Sequence, residues 1–91
     1  MKLSISSYNN FFSLKGILNR ENIHIFQNEF RHIFEEMDAI ILDIEGIESI
    51  DKYGVNALVK LNNDSILKNK KLAIIGYGCK DLYDHFKSAA A

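Results

Sequence analysis

The feature that most constrains this fold is a short apolar run, residues 39–44, which stands between two segments of helical periodicity. The run reads Ala-Ile-Ile-Leu-Asp-Ile and is rich in β-branched side chains. Such a run suits a central strand that is covered on both faces. Before it, apolar residues recur at spacings of three and four, which predicts a helix over residues 20–37 with Asn19 as its N-cap. The apolar face of this helix consists of Ile23, Phe26, Phe30, Ile33 and Phe34.

A second helical segment follows the run. Asp51 is placed to cap it, because a carboxylate accepts hydrogen bonds from the free amides at a helix start. We expect this helix to end near Leu67, where residues 68–71 bring cations to the carbonyl end of its dipole. Its predicted apolar face consists of Val55, Leu58, Val59, Asn62 and Ile66, with Leu61 beside it.

Shorter strands flank these segments. Residues 2–7 alternate with a period of two, and the run 11–15 follows after Tyr8-Asn9-Asn10 and ends at Gly16, which predicts an antiparallel hairpin. Residues 72–75 predict a further buried strand. A short final helix is expected after it, with Leu82, Tyr83 and Phe86 on its apolar side.

The resulting order is strand, strand, helix, strand, helix, strand, helix. It predicts an α/β domain with a small mixed sheet of about four strands and helices packed on it. The expected core of the central strands consists of Ile41, Leu42, Ile44, Ile74 and Ile75, which Phe26, Phe30 and Ile33 of the first helix cover.

Composition narrows the classes of function. Eleven basic and twelve acidic side chains give a net charge of −1, which disfavours nucleic acid and anionic membranes as partners. No apolar run approaches the roughly 20 residues that cross a bilayer, and the N-terminal residues lack the apolar core of a secretory signal. The single cysteine, Cys79, has no partner for an internal disulfide. We therefore expect one reduced, cytoplasmic domain over residues 1–91, with residues 88–91 frayed.

Catalytic and metal-binding patterns are weak. The histidines, His24, His32 and His85, have no metal-ligand spacing with one another or with Cys79. An acidic cluster consists of Asp43, Glu45, Glu48 and Asp51. Its oxygens either converge on a divalent cation or accept hydrogen bonds from nearby backbone. In the second case Asp43 binds the loop backbone and Asp51 caps a helix.

A glycine pair, Gly76-Tyr77-Gly78, lies where phosphate loops occur, but it lacks the remaining residues of such a motif and suits a tight turn. No nucleophile is paired with a base. We expect no enzymatic activity, no cofactor and no metal.

The segment 40–58 resembles the signature of STAS domains, the sulfate-transporter and anti-sigma-factor-antagonist domains. Ile40-Ile41-Leu42-Asp43-Ile44 matches the family's hydrophobic strand, and residues 46–58 match its linker and the apolar-Asp-Ser-Ser-Gly-apolar start of a helix. Residues 12–19 resemble the family's second strand with its Gly-x-Leu-Asp segment, and residues 72–76 resemble a later strand. The resemblance covers nearly the whole chain.

The resemblance implies a binding module without catalysis, whose antagonist members bind an anti-sigma factor that is also a kinase. It places the partner-binding site at Asp51, Lys52, Tyr53, Gly54, Val55 and Asn56. Lys52 and Tyr53 replace the family's Ser-Ser pair, so Tyr53 occupies the usual phosphoacceptor position, and a serine/threonine kinase is not expected to use it. Tyr53 is either a contact for a partner or a residue that packs on its own domain. The alternative function is that of an accessory subunit which docks on a membrane transport complex of the ATP-binding cassette type.

Overall fold

The first two strands form the predicted hairpin. A computed structural model describes residues 2–76 of the chain, and in it β1 (Leu3–Tyr8) pairs antiparallel with β2 (Phe11–Leu18). Asn9 in the turn has a φ of 54°, a conformation that asparagine tolerates better than most residues. β2 does not end at Gly16 as expected. Gly16 has a φ of 102°, and a Cβ there would lie 2.0 Å from the carbonyl oxygen of Lys2, so glycine lets the strand continue beside β1.

The predicted helix over residues 20–37 is wrong in its extent. Two shorter helices replace it, α1 (Ile23–Phe30) and α2 (Ile33–Glu36). Asn19 is not the N-cap, because its side-chain oxygen accepts hydrogen bonds from the amides of Glu21 (3.0 Å) and Asn22 (3.2 Å) and closes a turn before the helix. The break after Phe30 turns the chain so that the adjacent residues Ile33 and Phe34 are both buried.

The third strand is twice as long as its apolar run. β3 (Ala39–Ile50) has twelve residues and continues through Gly46, where a loop was expected. Ile40, Leu42 and Ile44 are buried in the core. Ile41 lies on the opposite side of the strand, outside that core, and is partly buried. That both faces of the strand are covered stays a prediction.

The last two elements within residues 2–76 are α3 (Lys52–Leu67) and β4 (Lys71–Ile75). α3 begins at the predicted cap and ends at the predicted residue. Its end is closed by backbone rather than by cations: Asn69, with a φ of 57°, and Lys70 donate to the carbonyls of Ile66 (3.1 Å) and Ser65 (2.7 Å). The Lys70 ammonium instead lies 2.6 Å from Asp38.

The buried stripe of α3 also differs from the predicted one. It consists of Gly54, Val55, Leu58, Leu61 and Ser65. Asn62 is exposed and Ile66 is 68% exposed, because the helix is rotated so that the neighbouring stripe meets the sheet.

The four strands lie in the order β1-β2-β3-β4, and β2, β3 and β4 are parallel. The predicted α/β class, with a four-stranded mixed sheet and helices packed on it, is confirmed. A single apolar core joins the helices to one side of the sheet, and its most deeply buried residues are Leu14, Leu18, Ile40, Leu42 and Leu58.

We call the other side of the sheet the open face; by strand register it presents Tyr8, Phe11, Ser13, Lys15, Ile41, Asp43, Ala73 and Ile75. The prediction that Ile41 and Ile75 belong to the core is therefore wrong. Ile74, which was also predicted there, is only partly buried. The predicted final helix with Leu82, Tyr83 and Phe86, together with Tyr77, Gly78, Cys79, His85 and residues 88–91, lies outside the described residues.

Candidate functional site

The candidate site lies at the carboxyl ends of β2 and β3, where α3 begins. Because the two strands are parallel neighbours, the loop after β2 comes to lie beside the residue that follows β3. The backbone amide of Arg20 donates to Oδ2 of Asp51 at 2.9 Å, and the amide of Asp51 donates to the carbonyl of Leu18 at 3.3 Å. The start of α3 is thereby fixed to the end of β2.

Asp51 is the predicted N-cap of α3, and its role is confirmed. Its Oδ1 accepts a hydrogen bond from the Gly54 amide at 3.0 Å, while Oδ2 accepts the one from Arg20. Burial would raise the pKa of this carboxyl, but the backbone amides of Gly54, Arg20 and Tyr53 hold the pKa below its usual value. Asp51 is therefore an ionised residue that serves the fold with both of its oxygens.

Gly54 is required where α3 passes over the end of β2. A Cβ at this position would lie 2.6 Å from the Leu18 carbonyl oxygen and 2.6 Å from Cγ1 of Ile50, closer than real contacts allow. Val55 is buried beside it. Both residues face the interior, so a partner at this surface would touch Lys52, Tyr53 and Asn56, which are exposed, rather than Gly54 or Val55.

Tyr53 is the most prominent side chain of the site. It is 42% exposed, and its ring centroid lies 5.5 Å from Nζ of Lys52 and 5.8 Å from the guanidinium carbon of Arg20. Each distance is within the range of a cation–π contact. The site thus presents one aromatic ring flanked by two cations, on a helix start that Asp51 and Gly54 hold in place.

Arg20 was not singled out from the sequence as a site residue. Its position one residue beyond the Gly-Ile-Leu-Asn segment carried no chemical signal of its own. The parallel pairing of β2 with β3 was already implied by the element order, and that pairing is the signal that places Arg20 next to Asp51.

The acidic cluster does not form a metal site within residues 2–76. Oδ1 of Asp43 accepts a hydrogen bond from the Glu45 amide at 2.9 Å, and both oxygens of Asp51 are occupied by amides. No three His, Cys, Asp or Glu side chains of this part of the chain converge as ligands. The absence of a metal in the whole chain stays a prediction.

The described histidines lie on the surface. His24 and His32 are exposed, and Nδ1 of His32 lies 2.7 Å from Glu35 one turn later. Gly76 follows β4 directly and has a φ of 87°, while Tyr77 and Gly78 of the expected turn lie outside the described residues. Neither feature provides a nucleophile next to a base.

A shallow groove of about 320 Å³ separates α1 from α3. Phe26, Phe30 and Leu61 form part of its lining and are buried, and Arg31 and Lys60 also line it. It shares no residue with the candidate site. No helix within residues 2–76 has the length and the hydropathy that crossing a bilayer requires.

Comparison with known proteins bears on the fold. No family model and no curated protein matches this chain. Among solved structures, the one described as "Crystal Structure Analysis of Mglu" is similar over 81% of this chain, with a TM-score of 0.65 and 8% sequence identity. The match spans only 19% of that protein's chain. At this identity, the likeness shows a shared fold alone.

Proposed function

We propose that this chain is a non-enzymatic, cytoplasmic protein-binding module of the STAS type, which regulates another protein by docking at the start of α3. One observation carries the proposal. The exposed ring of Tyr53 lies within cation–π distance of Arg20 and Lys52. The helix start that carries it is held by the hydrogen bonds of Asp51 to the backbone. Tyrosine and arginine are among the residues that dominate binding energy in protein interfaces.

The rigidity of the site also favours docking. Asp51 joins the loop at Arg20 to the first turn of α3, and Gly54 lets that turn lie close against β2. A surface that is already ordered loses little conformational entropy on binding. The exposed residues would therefore meet a partner in nearly their free conformation.

The proposed regulation lacks a serine switch at this loop. The two positions that resemble the family's Ser-Ser pair hold Lys52 and Tyr53. A phenol projects further from the backbone than a serine hydroxyl and has a different acidity. Tyr53→Ser is not expected to restore phosphorylation by itself, since Lys52 leaves a cation beside the new hydroxyl.

The test is affinity capture followed by titration with the purified captured protein. Tyr53→Ala should weaken binding by about 2 kcal/mol, because it removes the central contact, and should leave the melting temperature unchanged. Leu67→Ala is the matched control, since Leu67 is 82% exposed at the far end of the same helix. An unchanged affinity together with a melting temperature several degrees lower would make Tyr53 a packing residue and end the docking proposal. Capture of transporter subunits in place of an anti-sigma factor would support the accessory-subunit alternative.

A further inference from the structure

The two cations beside Tyr53 carry charge that the described part of the chain does not neutralise. Arg20 and Lys52 are both exposed, and neither forms an ion pair with a carboxylate of residues 2–76. The guanidinium carbon of Arg20 lies 5.8 Å from the ring centroid of Tyr53, and Nζ of Lys52 lies 5.5 Å from it. Two positive groups therefore converge on one exposed aromatic ring.

Asp51 is the carboxylate that joins this loop to α3, and it does not pair with either cation. Its Oδ1 accepts a hydrogen bond from the Gly54 amide at 3.0 Å, and its Oδ2 accepts one from the Arg20 amide at 2.9 Å. Burial raises the pKa of this carboxyl and backbone amides lower it, without a contribution from either side-chain cation. Arg20 thus holds this junction through its backbone, and its guanidinium stays available for a contact with another molecule.

The chemistry that complements this surface is a carboxylate next to an apolar group. Arginine binds a carboxylate through two parallel hydrogen bonds, and a tyrosine ring offers an apolar face between the charges. A membrane or a nucleic acid needs more charge than this surface has, since polybasic segments that bind anionic lipid carry about four to eight cations. The chain has a net charge of −1, which also disfavours a polyanion. An acidic segment of a protein fits two cations and one ring better.

We infer that the partner docks at this surface through an acidic segment, with carboxylates on Arg20 and Lys52 and an apolar side chain on the ring of Tyr53. The inference rests on the proposed function and adds the chemistry of the partner to it. Opposite charges orient the two proteins and raise the rate of their association, while the ring provides apolar contact area. Binding should therefore weaken as salt is added.

The experiment begins with a selection of short random peptides, displayed on phage, on the immobilised full chain. Peptides that bind wild type and lose binding to Tyr53→Ala are synthesised and titrated by fluorescence anisotropy. We expect these peptides to be enriched in Asp and Glu around an apolar residue. Replacing their acidic residues by Asn and Gln should weaken binding about threefold or more for each charge removed.

Variants of the chain test the same contacts from the other side. Arg20→Gln and Lys52→Gln should each weaken the acidic peptides about threefold or more, and salt should weaken them less in these variants than in wild type. Arg20→Gln keeps the backbone amide that Asp51 binds, so its melting temperature should match that of wild type. Lys68→Gln is the matched control, because it removes the same charge at the exposed far end of α3, and it should leave the affinity unchanged.

The outcomes separate this inference from the docking proposal. Tyr53-dependent peptides without an excess of acidic residues, or with equal affinity for wild type and both Gln variants, would overturn the inference and leave docking at Tyr53 in place. A selection without any Tyr53-dependent peptide would also overturn it, and affinity capture would still decide the docking proposal. Binding of phosphatidylserine vesicles that is lost in Arg20→Gln and Lys52→Gln would assign the cations to a membrane surface and overturn the acidic protein segment.

Discussion

At the candidate site, Gly54 is the residue at which one added methyl group has the sharpest expected effect. The new Cβ would meet the backbone oxygen of Leu18, which cannot rotate away as a side chain can. We expect Gly54→Ala to lower the free energy of unfolding by about 1–3 kcal/mol, although alanine favours a helix over glycine by about 1 kcal/mol. Denaturant unfolding measures the change.

The control for this substitution is Asn63→Ala, at an exposed position of the same helix. It gains helix propensity without a contact and should leave stability equal or slightly higher. A Gly54→Ala variant as stable as the Asn63→Ala variant would show that the helix start can move away from β2.

Single residues were predictable from the sequence where the signal is local. Asp51 was identified as a cap because the cap and the amide it binds are three residues apart. Asn19 has the same local signature, yet its oxygen closes a turn, since the buried side chain of Asn22 binds the carbonyl of Ile17 and holds the chain outside the helix. Arg20 joins the site through a contact 31 residues away, which no local pattern contains.

At the scale of the element, α1 depends on its packing. It has eight residues, and the side chain of its N-cap, Asn22, accepts no hydrogen bond from the amides of the first turn. A helix of this length is too short to be stable alone. Phe30 is buried, with its ring 5.1 Å from that of Phe12 and 4.7 Å from that of Phe26. We expect Phe30→Ala to cost about 3–5 kcal/mol in chemical unfolding.

Ile25→Ala serves as the comparison, because Ile25 is on the same helix but exposed. It should cost less than about 1 kcal/mol, as surface substitutions generally do. Equal losses for the two variants would contradict the view that Phe30 anchors α1 to the sheet.

The helical period of residues 23–34 predicted this element and its buried side, and Phe26, Phe30 and Ile33 are buried as expected. The period could not place the break at residues 31–32. Spacings of three and four continue across the break, and only the shape of the core decides that the chain turns there. The length of β3 was equally beyond a local pattern. Its C-terminal half lacks a continuous apolar run and is held as a strand by pairing with β2.

At the scale of the whole molecule, the sequence predicted the strands and their mixed pairing, but not that the helices of residues 2–76 share one side of the sheet. Ile40 and Ile41 are identical in type and adjacent, and composition cannot tell which one enters the core. Consecutive right-handed crossovers from β2 to β3 and from β3 to β4 place their helices on the same side. The open face is the side of the sheet that these helices leave uncovered.

The stability of the molecule in acid should depend on Asp51. Its pKa is lowered in the folded state, so the unfolded chain binds more protons at low pH. The contribution is fully present above the unfolded value of about 3.9 and is lost as the pH falls through the folded value. Asp51→Asn keeps an oxygen for the Gly54 amide but loses the acceptor for Arg20, and should cost about 1–2 kcal/mol at neutral pH.

The difference between wild type and Asp51→Asn should therefore shrink as the pH falls below about 4, and it should disappear once Asp51 is protonated in both states. Urea unfolding at a series of pH values measures it. Glu48→Gln is the control, since Glu48 is an exposed carboxylate of β3 that accepts no hydrogen bond from the described residues, and this variant should follow the wild-type curve. The Asp38–Lys70 pair remains in every variant and cancels from the comparison. A difference between Asp51→Asn and wild type that is constant at every pH would mean that Asp51 acts through its shape and not through its charge.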